Sequence, residues 1–145
     1  MLALTFRAGD TPLAIDTQLV VEVLPRVTLQ KAALAPEAVV GLLPFRGTLT
    51  PVVDLCWLVA GRSARGQLGT RIIVTQVDSG ARYVGLLAED VSELVDSRET
   101  ILGLNNLDHT WLGEHLADQS EMPMIVHPSE LLPSALQRLF EANPP

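Results

Sequence analysis

Across 145 residues the chain has one cysteine, one lysine and six aromatic residues of the Phe, Trp and Tyr type, and each shortage excludes something. The lone thiol, Cys56, has no partner for an internal disulfide and fits a reducing compartment. Few aromatics leave little with which to stack single-stranded bases. Lys31 and nine scattered arginines stand against 17 acidic residues, for a formal net charge of −7. That balance lacks the clustered basic face that neutralises phosphates, so nucleic acid is not an expected ligand. No apolar run approaches the ~18 residues that cross a bilayer, and MLALTFRAGD has no signal-peptide pattern. The expected address is cytoplasmic, without direct membrane insertion.

The usual marks of catalysis are also missing. His109, His115 and His127 fall six and twelve positions apart and form no ligand motif with a cysteine or carboxylate. There is no nucleophile elbow, P-loop or dinucleotide fingerprint. Cys56 lies in VVDLCWLV, where a thiol acts as a small core hydrophobe. Neither an enzyme nor a cofactor is implied. The one carboxylate group to weigh against that is Glu89, Asp90 and Glu93: a small hydrolase or ligand-binding barrel would need one of them raised in pKa within an enclosed pocket.

What is present is a series of short β-branched apolar runs separated by turn residues, the pattern of barrels and sandwiches. MLALTF, LAIDTQLVVEVL, VVGLLPF and TLTPVVDL read as strands. Pro44 and Pro51 cannot donate to a ladder, so the last two should be edges, bulged or interrupted. TRIIVTQVDSGARYVGLLAEDV alternates into and out of Asp78-Ser79-Gly80, a hairpin turn. A last hairpin is expected from strands near 111–117 and 122–127. Ser129 caps a helix with Leu131, Leu132, Leu136, Leu139 and Phe140 at helical spacing. The loop GRSARGQLGTR, with Arg62, Arg65 and Arg71, reads as a solvated connection. Trp57 and Trp111 read as fillers of barrel or inter-barrel cores, with interface anchors as the alternative reading.

Residues 35–55 carry a more specific signal. Ala35-Pro36, Val39, Gly41-Leu42-Leu43, Phe45-Arg46-Gly47, Leu49, Pro51-Val52-Val53 and Asp54-Leu55 fall in order on the signature of the CheW-like domain of bacterial chemosensory systems. Ile15-Asp16 through Val20, Glu22 and Val23 resembles an upstream element. Arg71–Val74, Val84–Val91, and finally Ile125-Val126 with Leu131-Leu132 resemble downstream ones. The resemblance covers nearly the whole chain.

It implies a mainly β fold of two packed five-stranded SH3-like β-barrels with a short C-terminal helix. The first barrel is expected over roughly 10–66, the second over roughly 67–132 with the N-terminal strand 1–9, and the helix over roughly 129–141. It further implies a non-enzymatic scaffold that couples a chemoreceptor's cytoplasmic tip to the regulatory domain of a CheA-type histidine kinase, with other CheW-like domains as further partners. Receptor contact falls on Val20, Glu22, Arg46, Leu86 and Leu87, with one of the two leucines facing outward. The turn and strand signature comprises Gly41, Gly47, Pro51, Asp54, Gly85 and Glu89. Arg46 belongs at a barrel rim, either tied to Glu22 or Asp54 or contacting the receptor. Pro44-Phe45, Ala88-Glu89 and His127 depart from the common pattern. The departures point to an adaptor of an alternative cluster such as the Wsp-type surface-sensing systems, or to one that binds receptor without activating kinase.

Overall fold

The computed structural model describes residues 1–103 and 109–131. Its strands are β1 (Leu2–Ala8), β2 (Thr11–Asp16), β3 (Val20–Pro25), β4 (Val39–Phe45), β5 (Thr48–Asp54), β6 (Arg71–Val77), β7 (Arg82–Asp96), β8 (Thr100–Ile101), β9 (Leu112–Leu116) and β10 (Met124–Val126). One short helix, α1 (Leu55–Ala60), follows β5.

Pairing sorts the strands into two curled sheets that share β7. The first runs β4-β5-β7-β6-β3, with β5 parallel to β7 through Val52–Asp54 and the other neighbours antiparallel. Gln30 and Leu42 exchange both backbone bonds, at 2.9 and 2.7 Å, and so join the chain beyond β3 to the far edge strand β4. The second sheet runs β7-β1-β2-β10-β9-β8, with β10 parallel to β2. Barrel 1 therefore holds residues from β3 to the first half of β7, and barrel 2 holds β1, β2, the second half of β7 and β8 to β10. This corrects the division expected near 66: β6 pairs with β3, and β2 pairs with β1, so residues 11–16 move to barrel 2 and 71–88 to barrel 1.

Local chemistry explains the pieces. The β6–β7 turn places Asp78, Ser79 and Gly80 at φ of 53°, 56° and 89°, the left-handed region that Asp and Gly enter at least cost. Pro51 stands just before β5 begins to pair with β7, and Pro44 lies on the edge strand β4, where a missing N–H costs nothing. The strand expected over TLTPVVDL ends at Asp54, and Leu55–Ala60, to which the sequence reading gives no element of its own, is a helix. Asp54 caps it, and Gly61 closes it at φ 69° with its N–H on the Trp57 carbonyl.

One apolar cluster runs through both barrels, with Phe6, Leu13 and Ile15 on one side and Val52, Ile72 and Leu86 on the other. Each such buried aliphatic contributes roughly 1.5–3 kcal/mol against conformational entropy. Trp111 and Cys56 are buried in it, and Trp57 is half-buried. Pro128–Leu131 forms a single 3-10 turn. Beyond that turn, the helix expected over 129–141 lies outside the described residues.

Candidate partner-binding site

β4 and β5 are joined by the two-residue loop Arg46-Gly47, Phe45 pairing with Thr48. Both loop residues have positive φ, 49° and 81°, as a hairpin turn that follows the strand twist requires. Gly47 takes this freely, whereas Arg46 is held there at about 1 kcal/mol of strain. Thr48 Oγ1 donates to the Phe45 carbonyl at 2.9 Å and tightens the turn. Arg46 is exposed, and its guanidinium lies 5.0 Å from the centre of its own Phe45 ring. Phe45 in turn packs edge-on against Tyr83 at 5.2 Å. Among the described residues neither Glu22 nor Asp54 pairs with Arg46, so the tie expected between strands is absent. The guanidinium is carried at the rim by an aromatic pair and remains open to solvent.

Val20 and Glu22 share this end of barrel 1. Val20 faces Thr75 across the ladder and Thr75 faces Val84, next to the Tyr83 that supports Phe45. Val20 is half-buried and packs on the core cluster together with Leu19, while Glu22, past a bulge, is exposed. A groove of about 410 Å³ opens between the barrels here, lined by Leu19, Val77 and the β6–β7 turn on one side and His127, Pro128 and Ser129 on the other. On barrel 2, Leu94 is 63% exposed and lies opposite Leu4, a member of the same apolar cluster as Leu19 and Val20. Leu94 escaped sequence reading, although the adjacent pair Leu94-Val95 in a strand requires one to face outward.

Leu86 and Leu87 correct the sequence expectation. They are 0% and 3% exposed, so neither presents a free side chain to a receptor. β7 is flanked by β5 and β6 at these residues and packed on both faces, and a strand in that position is apolar throughout. Leu87 instead helps to floor a shallow aliphatic hollow of about 200 Å³ with Ile72, Leu29, Val27 and Val40. Gly85 belongs to the same packing, since a Cβ there would come 2.9 Å from Val52. A Cβ on Gly41 would come 2.7 Å from the Gln30 carbonyl oxygen, so only glycine permits the bridge that closes barrel 1.

The two buried carboxylates are fully engaged inside. Asp54 Oδ1 accepts from the N–H groups of Cys56 at 2.9 Å and Trp57 at 3.4 Å, and Oδ2 accepts from Ala64 N–H at 2.9 Å. It fixes both α1 and the loop after it. Glu89 is 5% exposed. Its Oε1 accepts from Gly9 N–H at 3.2 Å and Arg62 Nη2 at 3.1 Å, and its Oε2 from Arg65 N–H at 2.7 Å and Arg62 Nη1 at 3.3 Å. Burial pushes this carboxyl up, but the bonds from Arg62, Arg65 N–H and Cys56 outweigh it and hold the pKa down at about 2. Burial, with the charges of Glu89 and Asp54, pushes the Cys56 thiol up to about 11, which keeps it protonated and unreactive. A hydrolase using Glu89 would need the opposite shift. Arg62, read from sequence as part of a solvated loop, is therefore paired with a buried carboxylate while its own side chain keeps about a third of its surface in water, 33%.

The architecture and these residues can be set against known proteins. The CheW-like domain family matches residues 2–135. The chain is 32% identical over 92 residues to the chemotaxis protein CheW of Rhizobium meliloti (strain 1021), a stretch covering 63% of this chain and 58% of that relative. The crystal structure of the scaffolding protein TtCheW from Thermoanaerobacter tengcongensis superposes with a TM-score of 0.80 at 20% identity, over 91% of this chain and 87% of that one. That likeness establishes the shared fold, and the family match spans nearly every strand described above. The chain belongs to the CheW-like family.

Proposed function

We propose that the protein is an adaptor that couples chemoreceptor tips to the regulatory domain of a CheA-type histidine kinase, with the receptor seated at the end of barrel 1 where the inter-barrel groove opens. The observation that supports this most is the state of Arg46. An arginine is held at strained φ, on an aromatic support, with no internal partner among the described residues. Such a group is preorganised to donate several hydrogen bonds to something outside the chain. Val20 and Leu19 supply apolar area and Glu22 a carboxylate, which suits a helical hairpin with an apolar face and polar flanks. Among the described residues no helix is long and apolar enough to cross a membrane. In this reading the protein works at the cytoplasmic face of receptor arrays through its partners.

The test is co-sedimentation of the purified protein with a receptor cytoplasmic fragment and the kinase, comparing wild type with Arg46→Glu, and circular dichroism on both. Ternary assembly that is lost in a folded variant supports the proposal. A folded wild type that joins neither partner overturns it.

A further inference from the structure

Four residues, Gly9, Cys56, Arg62 and Arg65, converge on Glu89 from three segments of the chain. β7 passes from barrel 1 to barrel 2 at this residue: Ala88 still pairs with Arg71 of barrel 1, and Glu89 pairs with Arg7 of barrel 2. Gly9 lies in the β1–β2 turn of barrel 2, whereas Arg62 and Arg65 belong to the loop after α1, in barrel 1. One carboxylate thus bonds a barrel-1 loop and a barrel-2 turn at once. Cys56 of α1 completes the ring around it.

The next residues form an elbow. Asp90 has φ 48°, and the register of β7 against β1 slips there, so that Thr5 and Arg7 stand opposite Glu93 and Glu89. A bulge bends the strand and raises its local twist. Val91 N–H donates to the Gly69 carbonyl at 3.0 Å, a second strap from the barrel-1 loop. Besides the shared strand β7, the described residues of the two barrels meet in the common apolar cluster, which is attractive but not directional. Hydrogen bonds to a buried charge are directional and stronger than neutral ones.

From these placements we infer that the Glu89–Arg62–Gly9 node is the pin that sets the angle between the two barrels at the Asp90 elbow, and with it the width of the groove. Glu89 and Arg62 are in this sense positioning residues for whatever the groove holds. The consequence for receptor affinity rests on the adaptor reading; the pin itself does not.

The experiment measures the angle directly. Ser79→Cys in barrel 1 and Ser120→Cys in barrel 2 are exposed positions for paired spin labels, and Cys56 is buried and does not compete. Pulsed electron–electron resonance on the full chain gives the inter-barrel distance distribution, and hydrogen exchange reports each barrel's core. Arg62→Ala, and Glu89→Ala beside it, should broaden the distribution roughly twofold or shift its maximum, with core amides of both barrels still protected in Arg62→Ala and less so, to a similar degree in the two barrels, in Glu89→Ala. The double variant should add little to either single one, because all three remove the same node. An unchanged distribution in folded Arg62→Ala overturns the inference. If Glu89→Ala unfolds both barrels, Arg62→Ala alone decides by those two outcomes, since its side chain is partly exposed and leaves the backbone donors on Glu89 in place. Loss of receptor binding in wild type would count against the adaptor reading and leave the distance measurement standing.

Discussion

Arg46 and Arg62 lie 16 positions apart in one barrel and have opposite fates. Arg62 reaches inward and is bonded twice to a carboxylate that water scarcely touches. Arg46 is turned outward by a two-residue loop, lies over its neighbour's ring and makes no ion pair among the described residues. The same side chain is architecture in one place and an offered surface in the other. The difference is decided by whether a carboxylate is in reach, and not by the apolar character of the flanking sequence. Substitutions at the two sites should therefore separate stability from binding.

The largest effect is expected from Glu89→Ala. It leaves the Gly9 and Arg65 N–H groups without their acceptor while the partly exposed Arg62 turns back to water, and two stranded backbone donors cost on the order of 2–4 kcal/mol. Urea unfolding followed by circular dichroism would show the midpoint fall, and a loss below about 1 kcal/mol would put Arg62 on the solvated side of the comparison.

Acid should reproduce much of this effect in the wild type. The folded pKa of Glu89 is depressed from 4.5 to about 2, so its contribution is complete above about 4.5 and is lost as the pH falls from there through about 2. That window spans roughly 3 kcal/mol at most. Glu89→Gln should remove this component from the acid limb of a pH–stability curve. A wild-type and variant pair with parallel acid limbs would refute the assignment.

Asp54→Ala is expected to cost about 2 kcal/mol, since it removes a helix cap and the anchor of Ala64 N–H together. A thermal melt should fall by several degrees, and Asp54→Asn should recover part of the loss by keeping one acceptor oxygen.

The smallest change in stability belongs to Arg46→Glu, within about 0.5 kcal/mol of wild type, because among the described residues only an exposed contact with the Phe45 ring is lost. Its effect on receptor co-sedimentation should be at least roughly tenfold, the size for a charge-assisted contact replaced by a repulsive one. A destabilised Arg46→Glu would erase the contrast from which the site was argued.

How much of this was legible in the sequence differs from one part to another. The hairpin around Asp78-Ser79-Gly80 declares itself, since alternation and turn residues are local signals. So do the two strands around Arg46-Gly47 and the final hairpin over β9 and β10. The helix Leu55–Ala60 does not, because six consecutive apolar residues have no period to separate helix from strand. The available hint was Asp54 before the run and Gly61 after it. The partition into barrels depends on which distant strands pair, and no local pattern reports that β2 joins β10 or that β6 joins β3. Leu86 and Leu87 were expected to split inward and outward, because a strand with one wet face alternates; β7 has none at that point. Arg62 and Glu89 are 27 residues apart, so their pairing could not be read from spacing.

The order of strands has a consequence in time. Barrel 1 is made from one continuous stretch between the 3-10 turn Thr17–Leu19 and the middle of β7, whereas barrel 2 draws on β1 and β2 and, much later in the chain, on the second half of β7 and on β8 to β10. During synthesis the earliest strands must therefore wait, unpaired on the β10 side, until the chain has passed Val126. Barrel 1 has its full set of strands well before then. Long-range pairings form late and slowly, and waiting strand edges invite wrong partners. A nascent chain of this topology is expected to build barrel 1 first and to close barrel 2 beside it as a final act.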